Sequence, residues 1–255
     1  MEVIFSYSLY GNESRYYENL YSMDMERILN RFPDAKFRVY YDGGSVDIKN
    51  INCLKDRGFE VYDYTSNELN LEGMFARYIP ITETDKPVVV RDTDSEITDL
   101  ELNLLNRWLN SPFQFHIIRG HVRHIYPIMG GLFSTRGRGS EILRKCLKNK
   151  KNIFNGYKYN DDQKFLARYV YPEIIDIAYV DTIKYVYYGE VFNQIFSNNS
   201  NFIGQTTSVN DCKRVSELQD NQCISEMIYL PRVFHKIILI PGVARIVNAF
   251  EKMFL

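Results

Sequence analysis

Two carboxylates one residue apart close the stretch Val88-Val89-Val90-Arg91-Asp92-Thr93-Asp94-Ser95. Carboxylate oxygens are hard ligands and suit Mn²⁺ or Mg²⁺. An ion held by only one or two protein carboxylates keeps positions open for phosphate oxygens. The valine run before the acids reads as a buried parallel strand, and ligands bind beyond the carboxyl ends of such strands. Arg91 and Thr93 sit within reach of whatever Asp92 and Asp94 hold. Acid-x-acid after an apolar run is also ordinary turn composition, so the weight falls on what surrounds it.

Several other residues carry chemistry. The loop Gly120-His121-Val122-Arg123-His124 is basic, with Arg119 just before it. Such a loop beside a metal-diphosphate site would stabilise negative charge on a leaving group, together with Arg77. His121 would complete a metal shell with Asp92 and Asp94. Gly130-Gly131 permits close approach of backbone to a ligand, though plain turn geometry explains it as well. Asp161-Asp162-Gln163 opens a helix; acids there are the usual capping pattern, and they are also candidates for a base near an acceptor hydroxyl.

These groups need elements to place them. Val3–Ser8 reads as a first strand, and Ser6, Tyr7, Ser8 and Tyr10 lie at its end. Helical spacing runs from Tyr16 to Phe32 and stops at Pro33. Phe37–Asp42 is a second strand ending in an acid, Val46–Gly58 a short helix, and Glu60–Tyr62 a third strand. This alternation predicts parallel strands with right-handed crossovers. The ends of strands one, two and four therefore share one edge, with Tyr7 or Tyr10 placed to stack on a base and Asp42 to hold base or ribose. Arg77 ends a helical segment before Pro80. Ser95 is placed to cap a helix bearing Ile97, Leu104 and Trp108. Phe113–Arg119 is another strand, followed by a basic helix over Ser140–Leu147. Later strands are expected at Ala178–Asp181, Tyr185–Tyr188 and Phe202–Gln205.

A chain of 255 residues with net charge −1 needs no stapling and carries no broad nucleic-acid footprint. Cys53, Cys146, Cys212 and Cys223 follow no zinc or redox spacing, as in a reducing, cytoplasmic setting. Met1–Ser6 lacks the basic start and long apolar core of a signal peptide, and no 18-residue apolar run marks a membrane span. The abundance of tyrosine and asparagine fits an AT-rich genome, such as that of a large virus or a protist. Ser208–Gln222 is polar and loop-like, and Met227–Leu255 reads as two short helices, so residues 1–207 form the main domain and 208–255 an extension packed on it.

The ordered set of motifs resembles nucleotide-sugar glycosyltransferases of the GT-A fold, nearest to small viral or microbial members. The resemblance runs through Phe5-Ser6-Tyr7-Ser8-Leu9-Tyr10-Gly11, Phe32-Pro33, Phe37–Asp42, Arg77, Val90–Ser95, His116–Arg119 with Met129-Gly130-Gly131, and Asp162-Gln163-x-Phe165-Leu166. It covers residues 1 to 205. It implies a Rossmann-like, mixed, mainly parallel sheet flanked by helices. Asp92 and Asp94 would bind Mn²⁺ or Mg²⁺ and, through it, the diphosphate of a donor, most often a UDP-sugar. The first-strand loop, Asp42 and Arg77 would hold the nucleoside, and Gly130-Gly131 would line the sugar or acceptor. Asp161 or Asp162, with Gln163, would lie near the anomeric carbon. The acceptor would be a glycan or protein, and the reading leaves room for a homodimer; a viral member would act in host cytoplasm or virion. Two positions depart from the pattern: Gln205 stands where an acid is usual after Gly204, and Gly120 stands where an acid is expected beside Arg119. The alternatives are a non-catalytic nucleotide- or glycan-binding module of the same fold and a haloacid-dehalogenase-like phosphatase.

Overall fold

Period-two alternation along two short strands decides which side chains reach the site. In a computed structural model, residues 1–11, 14–65, 67–121, 123–149, 160–195, 202–205 and 228–230 are described. The first strand, β1 (Ile4–Leu9), is buried throughout. Phe5, Tyr7 and Leu9 enter one core, while Ile4 enters the other, on the opposite face, and Ser6 points the same way. The helical stretch after it divides at Met23-Asp24 into α1 (Ser14–Ser22) and α2 (Met25–Arg31). Asp24 caps the second piece by accepting from the Arg27 amide at 3.0 Å, which is why the single expected helix breaks. β2 (Lys36–Tyr41), α3 (Ile48–Asp56) and β3 (Glu60–Asp63) follow. A 3₁₀ turn, Gly73–Tyr78, runs into α4 (Ile79–Glu83), with Pro80 in the first turn where its missing N–H costs nothing.

β4 (Val88–Arg91) is fully buried and carries the acids at its end. α5 (Asp99–Leu109) begins at Thr98, whose hydroxyl accepts from the Glu101 amide at 3.1 Å. Thr98, not Ser95, is the cap; Ser95 is occupied by Arg91, as described below. β5 (Phe115–Arg119), β6 (Leu132–Thr135) and α6 (Gly137–Lys148) come next. α7 (Asp161–Phe165) continues through a π-helical turn into α8 (Tyr171–Ile174). β7 (Ala178–Thr182), β8 (Tyr185–Tyr187), β9 (Val191–Gln194) and β10 (Ile228–Leu230) complete the described strands.

The main sheet has eight strands in the order β3-β2-β1-β4-β6-β5-β7-β9. All neighbours are parallel except β6, which runs antiparallel to both β4 and β5. It is a mixed, mainly parallel, helix-flanked sheet of Rossmann-like architecture. One face buries Phe5, Tyr7, Val39, Leu105 and Trp108 under the helices before β2 and β3 and under α5. The other buries Phe75, Tyr78, Val90, Phe133, Phe165 and Ile174.

Two expected elements differ. Phe202–Gln205 is a turn, closed by the Gln205 amide on the Phe202 carbonyl at 3.1 Å with Gly204 at φ +84°, a conformation that suits glycine and breaks a strand. Ile228–Leu230 is a strand paired with β8, not helix; Pro231 disfavours helical backbone at Leu230. The rest of the expected C-terminal helices lies outside the described residues.

Candidate active site

The antiparallel course of β6 builds the site. Arg91, the last residue of β4, lies opposite Leu132, the first of β6. The Gly130-Gly131 turn before β6 is thereby brought to the carboxyl end of β4, beside Asp92. A Cβ on Gly131 would overlap the Asp92 carboxylate and come within 2.7 Å of its backbone nitrogen. A Cβ on Gly130 would overlap the Asp162 carboxylate and lie 2.9 Å from Arg77 Nη2. Both glycines are therefore required by close packing against charged groups.

Alternation continued past the end of β4 separates Arg91 from Asp92. Arg91 turns to the α5 face and is buried. Its Nη2 donates to Ser95 Oγ at 2.9 Å and to the Glu96 carbonyl at 3.0 Å, and its Nη1 pairs with buried Glu101 at 3.4 Å. It supports the acid loop from beneath. Asp92 turns to the opposite face, where Arg77 meets it.

Arg77 is the hub. Its Nη1 donates to Asp92 Oδ1, and its Nη2 donates to Asp162 Oδ2 at 2.6 Å. Its carbonyl accepts from Ser6 Oγ at 2.7 Å, which ties the 3₁₀ turn to β1. Burial disfavours the Arg77 cation, but Asp92, Tyr78 and Asp162 around it outweigh this and hold its pKa well above the ordinary value. The Asp162 pKa is raised too, by burial with Asp92 adding, against the pull of Arg77. Tyr78 donates to the Gly130 carbonyl at 3.3 Å and lies 3.5 Å from Asp162 Oδ2. Tyr10, at the mouth, is pushed up to about 12 by burial, with Arg77, Asp162 and Asp92 close enough to act on it. Among the described residues, Arg77 Nε and Gln163 Oε1 are buried with no hydrogen-bond partner.

The neighbouring strand ends complete the edge. Asp42 accepts from Ser45 Oγ at 2.7 Å and from the Gly44 amide at 3.0 Å, and Ser45 Oγ in turn accepts from the Gly11 amide at 2.9 Å. Tyr7 points into the core, with its hydroxyl 3.4 Å from Met23 Sδ, and Ser8 is buried. Asn19 of α1 donates to the Thr93 carbonyl at 2.6 Å. Asp161 is paired with Lys164 at 3.0 Å.

The structure thus gathers Arg77, Asp92, Asp162, Gly130 and Gly131 at one point, with Tyr10 close by. Among the described residues no group of three or more His, Cys, Asp or Glu is assembled, so His121 does not join Asp92 and Asp94 as a third ligand. His121 is instead stacked on Phe202 at 4.1 Å, with its Nδ1 accepting from the Arg123 amide at 3.2 Å. Asp92 and Asp94 follow β4 one residue apart, both partly buried. Asp92, about half exposed (47 %), keeps one oxygen outside the Arg77 contact.

Arg119 is not available to a ligand. It is buried in a two-pronged pair with Glu190, at 2.5 and 2.9 Å, and donates to the Pro127 carbonyl at 2.7 Å. Glu190, from the β8–β9 turn, supplies the acid expected beside Arg119. Gly120 stands where a Cβ would come within 2.9 Å of Ile203. Tyr78, Asn19 and Glu190 carried no signal in the sequence, since their partners are 52, 74 and 71 positions away.

No known protein-family profile matches the chain, and no curated protein matches it. Similar solved structures include a glycosyltransferase involved in glycosylation of the major capsid of PBCV-1 (17 % identity, 72 % of this chain and 84 % of that one, TM-score 0.45). Another is glucosyl-3-phosphoglycerate synthase from Mycobacterium tuberculosis in complex with Mn²⁺, UDP and glucosyl-3-phosphoglycerate (12 %, 86 % and 77 %, 0.46). A third is 4-diphosphocytidyl-2C-methyl-D-erythritol synthase from Anaerococcus prevotii (9 %, 86 % and 99 %, 0.46). Likeness at this level carries no activity, ligand or residue role from those proteins to this chain.

Proposed function

We propose that this chain is a metal-dependent glycosyltransferase that moves a sugar from a nucleoside-diphosphate donor, with UDP-sugars favoured, to an acceptor hydroxyl on a glycan or protein. The observation that carries this reading is the buried Arg77 bridging Asp92 and Asp162 behind two glycines, at the carboxyl edge of the sheet. A site for an anionic leaving group needs fixed positive charge, and a site for a sugar needs acceptors for hydroxyls. Arg77 is the fixed cation at that edge, and half-exposed Asp92 is an acceptor beside it.

Asp92 and Asp94 would hold Mn²⁺ or Mg²⁺, which when bound neutralises charge on the departing diphosphate. Arg77 would offset the charge of Asp92 and Asp162 beside the metal. The Gly130-Gly131 turn lets the Asp92 and Asp162 carboxylates pack against the backbone beside where the sugar would lie. Asp162 would be the acceptor for a sugar or acceptor hydroxyl. Tyr10 and Asp42 would hold the nucleoside.

The test is release of nucleoside diphosphate from a panel of UDP- and GDP-sugars with Mn²⁺, by wild type and by the Asp92→Asn/Asp94→Asn variant. Turnover by the wild type and its loss in the variant support the reading. Tight nucleotide binding without turnover would replace it with the non-catalytic module.

A further inference from the structure

The acid loop Asp92-Thr93-Asp94 is held on three sides. Gly131 backs Asp92, and Arg91 anchors Ser95 and Glu96 from below. The third contact comes from a different element. Asn19 Nδ2 donates to the carbonyl of Thr93, the residue between the two acids, at 2.6 Å. Asn19 is itself fixed: the next residue, Leu20, is buried in the core with Phe5 and Tyr7, and Ser22 Oγ donates to the Asn19 carbonyl at 3.2 Å.

We infer that Asn19 is a positioning residue for the acid pair, setting the angle at which Asp92 and Asp94 present their oxygens to a divalent ion. The Thr93 carbonyl belongs to the peptide plane that joins Thr93 to Asp94. Fixing that plane fixes the direction in which the Asp94 side chain leaves the chain, relative to Asp92. Two carboxylates on a free turn would have to be ordered by the ion, and that ordering weakens binding; a tethered turn is ordered beforehand. Because Asn19 lies on α1, which follows Tyr10 and Gly11, the helix also links the nucleoside-side loop to the acid loop. The inference rests on the reading of Asp92 and Asp94 as the donor site.

The full chain is compared with Asn19→Leu, which keeps the size and removes the donor, and with Asn19→Ser, which cannot reach. Two quantities are measured: hydrogen exchange at the backbone amides of residues 92–96 without ligand, and Mn²⁺-dependent UDP affinity by calorimetry. Both variants are expected to exchange faster at 92–96, with exchange in β1 and β4 unchanged, and to bind UDP up to about tenfold more weakly, within the range for one hydrogen bond. UDP affinity without metal is expected to change less. Unchanged exchange at 92–96 in both variants overturns the tether. Faster exchange with unchanged Mn²⁺-dependent affinity overturns the positioning role. Absence of Mn²⁺-dependent UDP binding in the wild type refutes the donor-site reading, and with it the positioning role; exchange then still reports whether the tether exists.

Discussion

Replacing Arg77 with methionine removes the charge and leaves a side chain of similar length. Its partner Asp162 has a side chain only 4 % exposed, so the carboxylate left behind has little access to water. Breaking a buried pair by removing one partner costs about 3–5 kcal/mol. The bond to Asp92 adds less than about 1 kcal/mol, because that carboxylate is half exposed. For a chain of this size the sum corresponds to a fall in Tm of roughly 6–20 °C at pH 7. Asp162 already has its pKa raised by burial, and loss of Arg77 raises it further. A folded pKa above the unfolded value means stability that is present at low pH and lost as pH rises through the folded value. The gap between wild type and Arg77→Met should therefore narrow as pH falls. The Arg77→Met/Asp162→Asn double variant should recover part of the loss, since the stranded charge is gone. Calorimetric unfolding in a pH series from neutral down toward the range of a free aspartate reads all of this. A Tm change for Arg77→Met below about 3 °C, or strict additivity in the double variant, would refute the bridge.

Other outcomes follow from the same packing. Gly131→Ala should cut Mn²⁺-dependent UDP affinity at least about tenfold in calorimetry, because the new Cβ falls on the Asp92 carboxylate and backbone. Glu190→Gln should lower stability by about 3–5 kcal/mol in denaturant unfolding, since Arg119 is then buried without its counter-charge. His121 and His124 are pushed down to about 4 and about 3, chiefly by burial. Their unfolded forms take up protons first, so their contribution is complete above about pH 6.5 and is lost as pH falls toward the folded values. A His124→Gln variant should show a flatter loss of Tm between pH 6.5 and 4 than wild type, at about the pKa of free histidine and below.

The half of the fold that carries β1 to β4 was legible because its strands are short apolar runs cut by Pro33, Gly43-Gly44, Gly58 and Pro87. Placing Asp92 at a strand end needed nothing more than the valines before it. The later half was less so. β9 (Val191–Gln194) is half exposed and has no apolar run to announce it, and Phe202–Gln205 looks like a strand until Gly204 adopts its positive φ. Arg91 and Asp92 show the limit most clearly. Both are polar neighbours at the same strand end, yet pleating sends one under the sheet to Glu101 and the other to Arg77. Only the strand register decides between them. The buried Arg119–Glu190 pair was invisible for a different reason, since sequence gives no sign of which distant acid will neutralise a given arginine.

The central claim is that Asp92 and Asp94 hold a metal and, through it, a nucleoside diphosphate. The most direct measurement is thermal unfolding with UDP, with and without Mn²⁺, for wild type and the Asp92→Asn/Asp94→Asn variant. Ligand at about a hundred times its Kd adds about 2.7 kcal/mol, which raises Tm by roughly 5–10 °C in a domain of this size. The account predicts that rise only when Mn²⁺, UDP and both carboxylates are present together. A rise that survives in the Asp92→Asn/Asp94→Asn variant, or no rise in the wild type with any nucleoside diphosphate, would contradict it.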